Sequence, residues 1–361
     1  MIASFAMQYP KRLPRTATRI ALLTSIGITA ACSGGAENDA AAQDDAAAQV
    51  DTSSAPTNAP ERDTAAVAAR TGDPSRAPNE MGRIMVLEYH LIGDKDARWE
   101  RAAARFRQDL QLLYDRGYRP ISAAELVDGK IDLPAGLSPV VFTFDDASPG
   151  QFRYIEQNGQ LVIDPNSAVG IWLDFARTHP DWENKAVFCM LSGAEAGRSF
   201  FGDKGIEGQK TEWRHHKVRF LAEQGFELCN HTLWHAQLPK YPDDFVQEQI
   251  ARLQLAVDSA VPGYRIRTFA LPLGLWPKNR ELAWRGSWTD PKTGKTVTYS
   301  HDVVLEVSGG PNVSPYDPRF DGHSVDRVQV YANELEKTLD YLDKSGTRFV
   351  SDGRNGPPRN E

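Results

Sequence analysis

Two adjacent carboxylates, Asp145 and Asp146, end the apolar run Ser138-Pro139-Val140-Val141-Phe142-Thr143-Phe144. Like charges placed side by side at the end of a buried segment disfavour ionising together, so such a pair is costly if buried and is a candidate functional site. The alternative is an ordinary Asp-rich turn. A second apolar run, Phe226-Glu227-Leu228-Cys229, leads into Asn230-His231-Thr232-Leu233-Trp234-His235. Histidines four apart share a face if the stretch takes a helical turn; otherwise they are two unrelated imidazoles. One Asp with two His makes a three-ligand catalytic metal set with a fourth position left for water, and the other Asp then remains as a base. The HExxH pattern of zinc proteases is absent.

Both segments follow short apolar runs, and such runs recur. Residues 84–89, 138–144, 185–191, 226–229, 267–271 and 348–350 read as buried strands. Residues 106–118, 168–176, 213–224, 244–260 and 332–345 carry helical spacing, with Gly117 and Gly225 as stops. Continuous apolar strands alternating with helices imply a parallel sheet covered on both faces. An open sheet and a barrel share this pattern, and both gather chemistry at the C-terminal ends of their strands. Without an internal repeat or a second linker, a single α/β domain of residues 82–355 is expected, followed by a tail at 356–361. Residues 147–184 form a long excursion beside the carboxylates.

The ordered motifs resemble those of the polysaccharide deacetylases of the NodB-homology group, carbohydrate esterase family four. Thr143-Phe144-Asp145-Asp146 resembles the first motif, TFDD. Residues 225–235 resemble the second, GHEIGNHTxxH. Lys185-Ala186-Val187-Phe188 resembles the strand between them, and Phe269-Ala270-Leu271-Pro272-Leu273-Gly274 the third motif. The resemblance covers about residues 84–350. It implies a distorted (β/α) barrel with about seven parallel strands. It implies removal of acetyl groups from an N-acetylated amino-sugar polysaccharide. Asp146, His231 and His235 would bind a divalent metal, zinc first, and Asp145 would be the general base. The family's third-motif Arg, which orients the base, is replaced here by Ala270, and residues 324–345 hold no His to serve as acid. Leu87-Glu88-Tyr89-His90 resembles the YH motif of the branch acting on poly-N-acetylglucosamine, which nominates His90 as the acid. His301 and His323 are rivals in loops; His215 and His216 read as helix-surface residues. Pro272, Leu273 and Gly274, with Trp234 and Trp276, are expected to contact substrate, although core packing explains such residues equally. Two alternatives share the motifs. One is an O-acetyl esterase. The other, prompted by Ala270 and the missing late His, is a glycan-binding surface protein with a relict metal site.

The first residues read as a targeting segment. Lys11, Arg12, Arg15 and Arg19 precede the apolar run 20–31, too short to span a bilayer but long enough for a signal-peptide core. Ala30-Ala31-Cys32-Ser33 resembles a bacterial lipobox, with Thr29 where Leu is usual. Residues 1–31 are thus expected to be removed and Cys32 lipidated, anchoring the chain to a membrane; an ordinary secretory signal is the alternative. Residues 32–81 are rich in Ala, Asp, Thr, Ser and Pro and lack apolar periodicity, as expected of a disordered tether. The expected location is the periplasmic side of the outer membrane or the cell surface. A formal charge of −7 argues against a nucleic-acid partner. Cys189 and Cys229, both in apolar runs, are either a disulfide or two small buried hydrophobes.

Overall fold

The seven-residue segment Ser138–Phe144 (β2) is buried along its whole length and organises the sheet around it. It pairs in parallel with Met85–Tyr89 (β1) from Val140 to Phe144. At its end, Thr143 and Phe144 pair with Val187–Met190 (β3). The series continues, always parallel, through Glu227–Asn230 (β4), Thr268–Ala270 (β5) and Val303–Leu305 (β6). On the other side of β1 lies Val328–Gln329 (β7). The order is therefore β6-β5-β4-β3-β2-β1-β7. A parallel bridge between Leu305 and Val325 joins β6 to the segment entering β7, so the two edges meet. The fold is a distorted (β/α) barrel of seven parallel strands. A further strand, Tyr118–Pro120, pairs with the start of β2.

The computed structural model describes residues 75–193 and 199–357, all of which fall in one compact unit. The signal segment, Cys32 and most of the expected tether lie outside the described residues. The end of the tether does not: Asn79 exchanges backbone hydrogen bonds with Val350, and Arg76 donates to the carbonyl of Arg116. The ordered body thus starts several residues before the expected boundary.

Side chains alternate across the strands with the period of two that strand geometry imposes. Met85, Leu87, Phe142, Phe144, Phe188 and Leu228 pack against helices Ala103–Asp115 (α1), Ala168–Thr178 (α3) and Arg214–Glu223 (α4), and against Glu334–Ser345 (α6). Val86, Val141, Val187, Cys189, Cys229, Ala270 and Leu305 point the other way, toward a second core that includes the short helix Ala123–Val127 (α2). Asp243–Ala260 (α5) contributes Val246 and Ile250 to a third cluster with Phe269 and Leu271. Cys189 and Cys229 stand opposite each other in register on β3 and β4, 4.2 Å apart at Cα, and form a disulfide.

Some expected elements differ. Residues 348–350 make only isolated bridges, Arg348 to Arg83 and Val350 to Asn79. The excursion after Asp146 contains, besides α3, a hairpin Tyr154–Gln157/Gln160–Ile163 that turns on Asn158-Gly159, both at positive φ. A second hairpin, Arg285–Thr289/Thr296–Ser300, was not anticipated.

Candidate active site

The strands deliver their polar residues to one end of the barrel. Glu88 and His90 come from the end of β1, Asp145 and Asp146 from β2, and His231 and His235 from the loop after β4. All six line a cleft of about 820 Å³ with Leu271, Leu273 and Val307. The two histidines are not on a helical turn, as their spacing suggested. Thr232 and His235 take positive φ of 67° and 60°, and this left-handed kink brings the rings to 4.8 Å, centroid to centroid. Asp146 is likewise at φ 80°. Non-glycine residues rarely adopt this conformation unless their surroundings impose it, and such strain gathers at functional sites.

His231 Nε2 and His235 Nε2 each lie 3.6 Å from Asp146 Oδ1. One ligand atom from each of the three residues lies within 4.8 Å of the others. Ligand atoms around a four-coordinate zinc are about 3.4 Å apart, so the set needs little movement to hold one. His231 Nδ1 donates to the carbonyl of Ala270 at 2.8 Å, which fixes the tautomer and leaves Nε2 as a lone-pair donor. That Nε2 is buried and makes no hydrogen bond. A buried acceptor without a partner is costly, and a cation at this point would satisfy it. The residues fit a divalent metal.

Asp145 serves a different partner. Arg327, fully buried, grips it with two hydrogen bonds, Nη1 to Oδ1 at 2.9 Å and Nη2 to Oδ2 at 2.8 Å. Arg327 also donates to Thr143 Oγ1 and the carbonyl of Glu306, and pairs with Glu88 Oε1 at 2.8 Å. Burial alone would raise the carboxyl of Asp145, but Arg327 and His231 hold it down at about 2. Asp146 is also lowered, its burial outweighed by His231 and His235. Burial pushes Glu88 up to about 7, against the pull of Arg327. Glu88, His90 and Asp145 form a second group close enough for a metal. There, however, the guanidinium already supplies the positive charge.

His90 lies in the cleft with its ring against the indole of Trp99, centroids 4.7 Å apart. Burial lowers its pKa, and the nearby carboxylates oppose that shift. The rival histidines are elsewhere. His301 is buried between Phe269 and Tyr299 and held near 4 by that burial. His323 stacks on Trp284, and His215 faces Phe200. Among the five expected substrate contacts, Leu273 lines the cleft, 48% exposed at φ 59°. Pro272 is buried beneath it, and Gly274, at φ 65°, abuts Val307. Trp234 is exposed beside His235 and packs on Phe245, off the cleft wall. Trp276 turns away: its N–H donates to Glu306 and Arg280 covers its face, so it packs instead.

Arg327, Glu88 and Trp99 were missed. Glu88 offered a signal, because a carboxylate inside an apolar strand demands a buried cation. Trp99 is exposed at the cleft and offered none.

Residues 182–285 match the family model for polysaccharide deacetylases. That segment, under a third of the chain, is where the likeness to the family lies. The matched segment carries His231 and His235, while Asp145 and Asp146 precede it and join the site through the fold. Among solved structures, the Streptococcus pyogenes deacetylase PplD, in complex with acetate, is 18% identical with a TM-score of 0.50, over 73% of this chain and 99% of that one. IcaB from Ammonifex degensii is 18% identical with a TM-score of 0.49, over 72% and 97%. No curated protein matches the sequence. The likeness to PplD is one of fold and agrees with the barrel described above.

Proposed function

We propose that this protein removes acetyl groups from an N-acetylated amino-sugar polysaccharide with the help of one divalent metal. The observation that carries the proposal is the convergence of Asp146, His231 and His235 beside a base, Asp145, whose Oδ2 lies 3.9 Å from His231 Nε2. A metal bound there, zinc by its ligand set, supplies a more acidic water and polarises the acetyl carbonyl. Asp145 accepts the proton of the attacking water. Arg327 keeps Asp145 anionic and fixes both its oxygens. His90 gives a proton to the departing amine. Burial lowers the pKa of His90, which suits a group that gives its proton up, and its ring stands in the same cluster as Asp145. The turn at Pro272, Leu273 and Gly274 presents Leu273 to the substrate.

The proposal also has the enzyme exported and tethered to a membrane through lipid on Cys32, at the periplasmic side of the outer membrane or the cell surface. Its support is the succession of basic residues, apolar run and Cys32 in the sequence. No helix among the described residues is long and apolar enough to cross a membrane.

Acetate release from N-acetylglucosamine oligomers and from acetylated xylan, by wild type and Asp145→Asn, tests this reading. Release from the amide substrate should fall about 10²- to 10⁴-fold in the variant. Equal release by both proteins would remove Asp145 as the base, and a strong preference for xylan would select the ester reading.

A further inference from the structure

The wall of the cleft opposite Leu273 is built by residues 97–100, in the loop after β1. In the barrel order, β1 and β5 lie on opposite sides of the mouth. Leu273, from the loop after β5, therefore faces this wall across the metal-ligand cluster. The wall carries Trp99, which is 45% exposed, although burying an indole stabilises a fold more than burying almost any other side chain.

The loop holds this side chain out firmly. Leu91–Gly93 and Glu100–Ala102 pair in parallel, and Leu91 N–H donates to the carbonyl of Trp99. Glu100 Oε1 accepts from the backbone N–H groups of Asp94 and Lys95. Asp96 accepts from the N–H of Ala102 and pairs with Arg105. One part of the indole rests on His90, and the Arg98 guanidinium lies 5.0 Å from its centroid. A flat apolar surface fixed beside the reacting groups suits a flat apolar partner. A pyranose ring has one in its axial C–H face, while its hydroxyls stay at the rim in water.

We propose that Trp99 is a substrate-positioning residue that stacks on a pyranose ring of the polymer, so that the enzyme selects chains of sugars over single sugars. This rests on the polysaccharide deacetylase reading above. Trp99 binds the chain and leaves bond-breaking to the other groups, so its loss raises KM more than it lowers kcat.

The test is steady-state acetate release from N-acetylglucosamine and its oligomers up to the pentamer, with 4-nitrophenyl acetate as a substrate that has no sugar. Wild type, Trp99→Ala and Trp99→Tyr are compared in zinc-loaded protein. Trp99→Ala should raise KM for the pentamer about 3- to 10-fold, the range for loss of one aromatic contact. Its kcat and its ester hydrolysis should stay within about twofold of wild type, and Trp99→Tyr should restore most of the lost affinity. An unchanged pentamer KM in Trp99→Ala would overturn the proposal. So would equal losses on pentamer and ester, because those would mean that the indole only supports His90. If wild type releases no acetate at all, the deacetylase reading fails separately. Calorimetric titration with the pentamer then decides for Trp99: weaker binding by Trp99→Ala supports it, and equal or absent binding by both proteins sinks it.

Discussion

Arg327 reaches Asp145 across 182 residues of sequence and places both terminal guanidinium nitrogens on its carboxylate. Ala270, where the family's base-orienting Arg would fall, contributes only its carbonyl, to His231. Arg327, at the entry of β7, thus sets beside Asp145 the positive charge that position 270 lacks. Arg327→Met should leave Asp145 and Glu88 as uncompensated buried carboxylates. It should lower stability by about 3–5 kcal/mol and kcat/KM by roughly 10²-fold or more. Adding Glu88→Gln should recover part of the stability, measured by urea unfolding, but not the activity. Recovery of both would mean that Arg327 merely neutralises charge. That Asp145, Asp146, His231 and His235 share one cleft was legible because Asp-Asp and His-x₃-His follow apolar runs in a fixed order. Arg327 was not: it precedes a strand of two residues, and nothing near it in sequence hints at a partner on β2.

Elements were read more evenly. β2 falls on the residues expected of it, because an apolar run of seven buried on both faces leaves no other register. The long helix α5 starts one residue early. The loops were illegible, because their shape depends on left-handed residues such as Asp146, Thr232 and His235, whose types do not announce positive φ. The Asn158-Gly159 turn could have been found, since that dipeptide between β-prone residues is a strong hairpin signal. The cysteines were ambiguous until β3 and β4 proved to be neighbours. Their bond closes a 40-residue separation, worth about 4 kcal/mol if it acts by restricting the unfolded chain. The Cys189→Ala/Cys229→Ala double variant should unfold at clearly lower urea concentration than the oxidised protein. Equal midpoints would show that the bond contributes nothing to stability.

At the scale of the whole molecule, strand–helix alternation gave a parallel sheet, but only the family resemblance chose a barrel. Closure depends on the bridge from Leu305 to Val325, a long-range contact without a local pattern. Closing the ring sets the ends of β1, β2, β4 and β5 around one mouth, so residues from 88 to 273 share a single cleft. The account stands on one cation held there by Asp146, His231 and His235. The direct measurement is a zinc titration of chelator-stripped protein, following bound metal and acetate release together, in wild type and in Asp146→Ala/His231→Ala/His235→Ala. Wild type should bind one equivalent and regain activity in step with it, while the triple variant should do neither. Full acetate release from stripped wild type, or one tightly bound equivalent in the triple variant, would contradict the account.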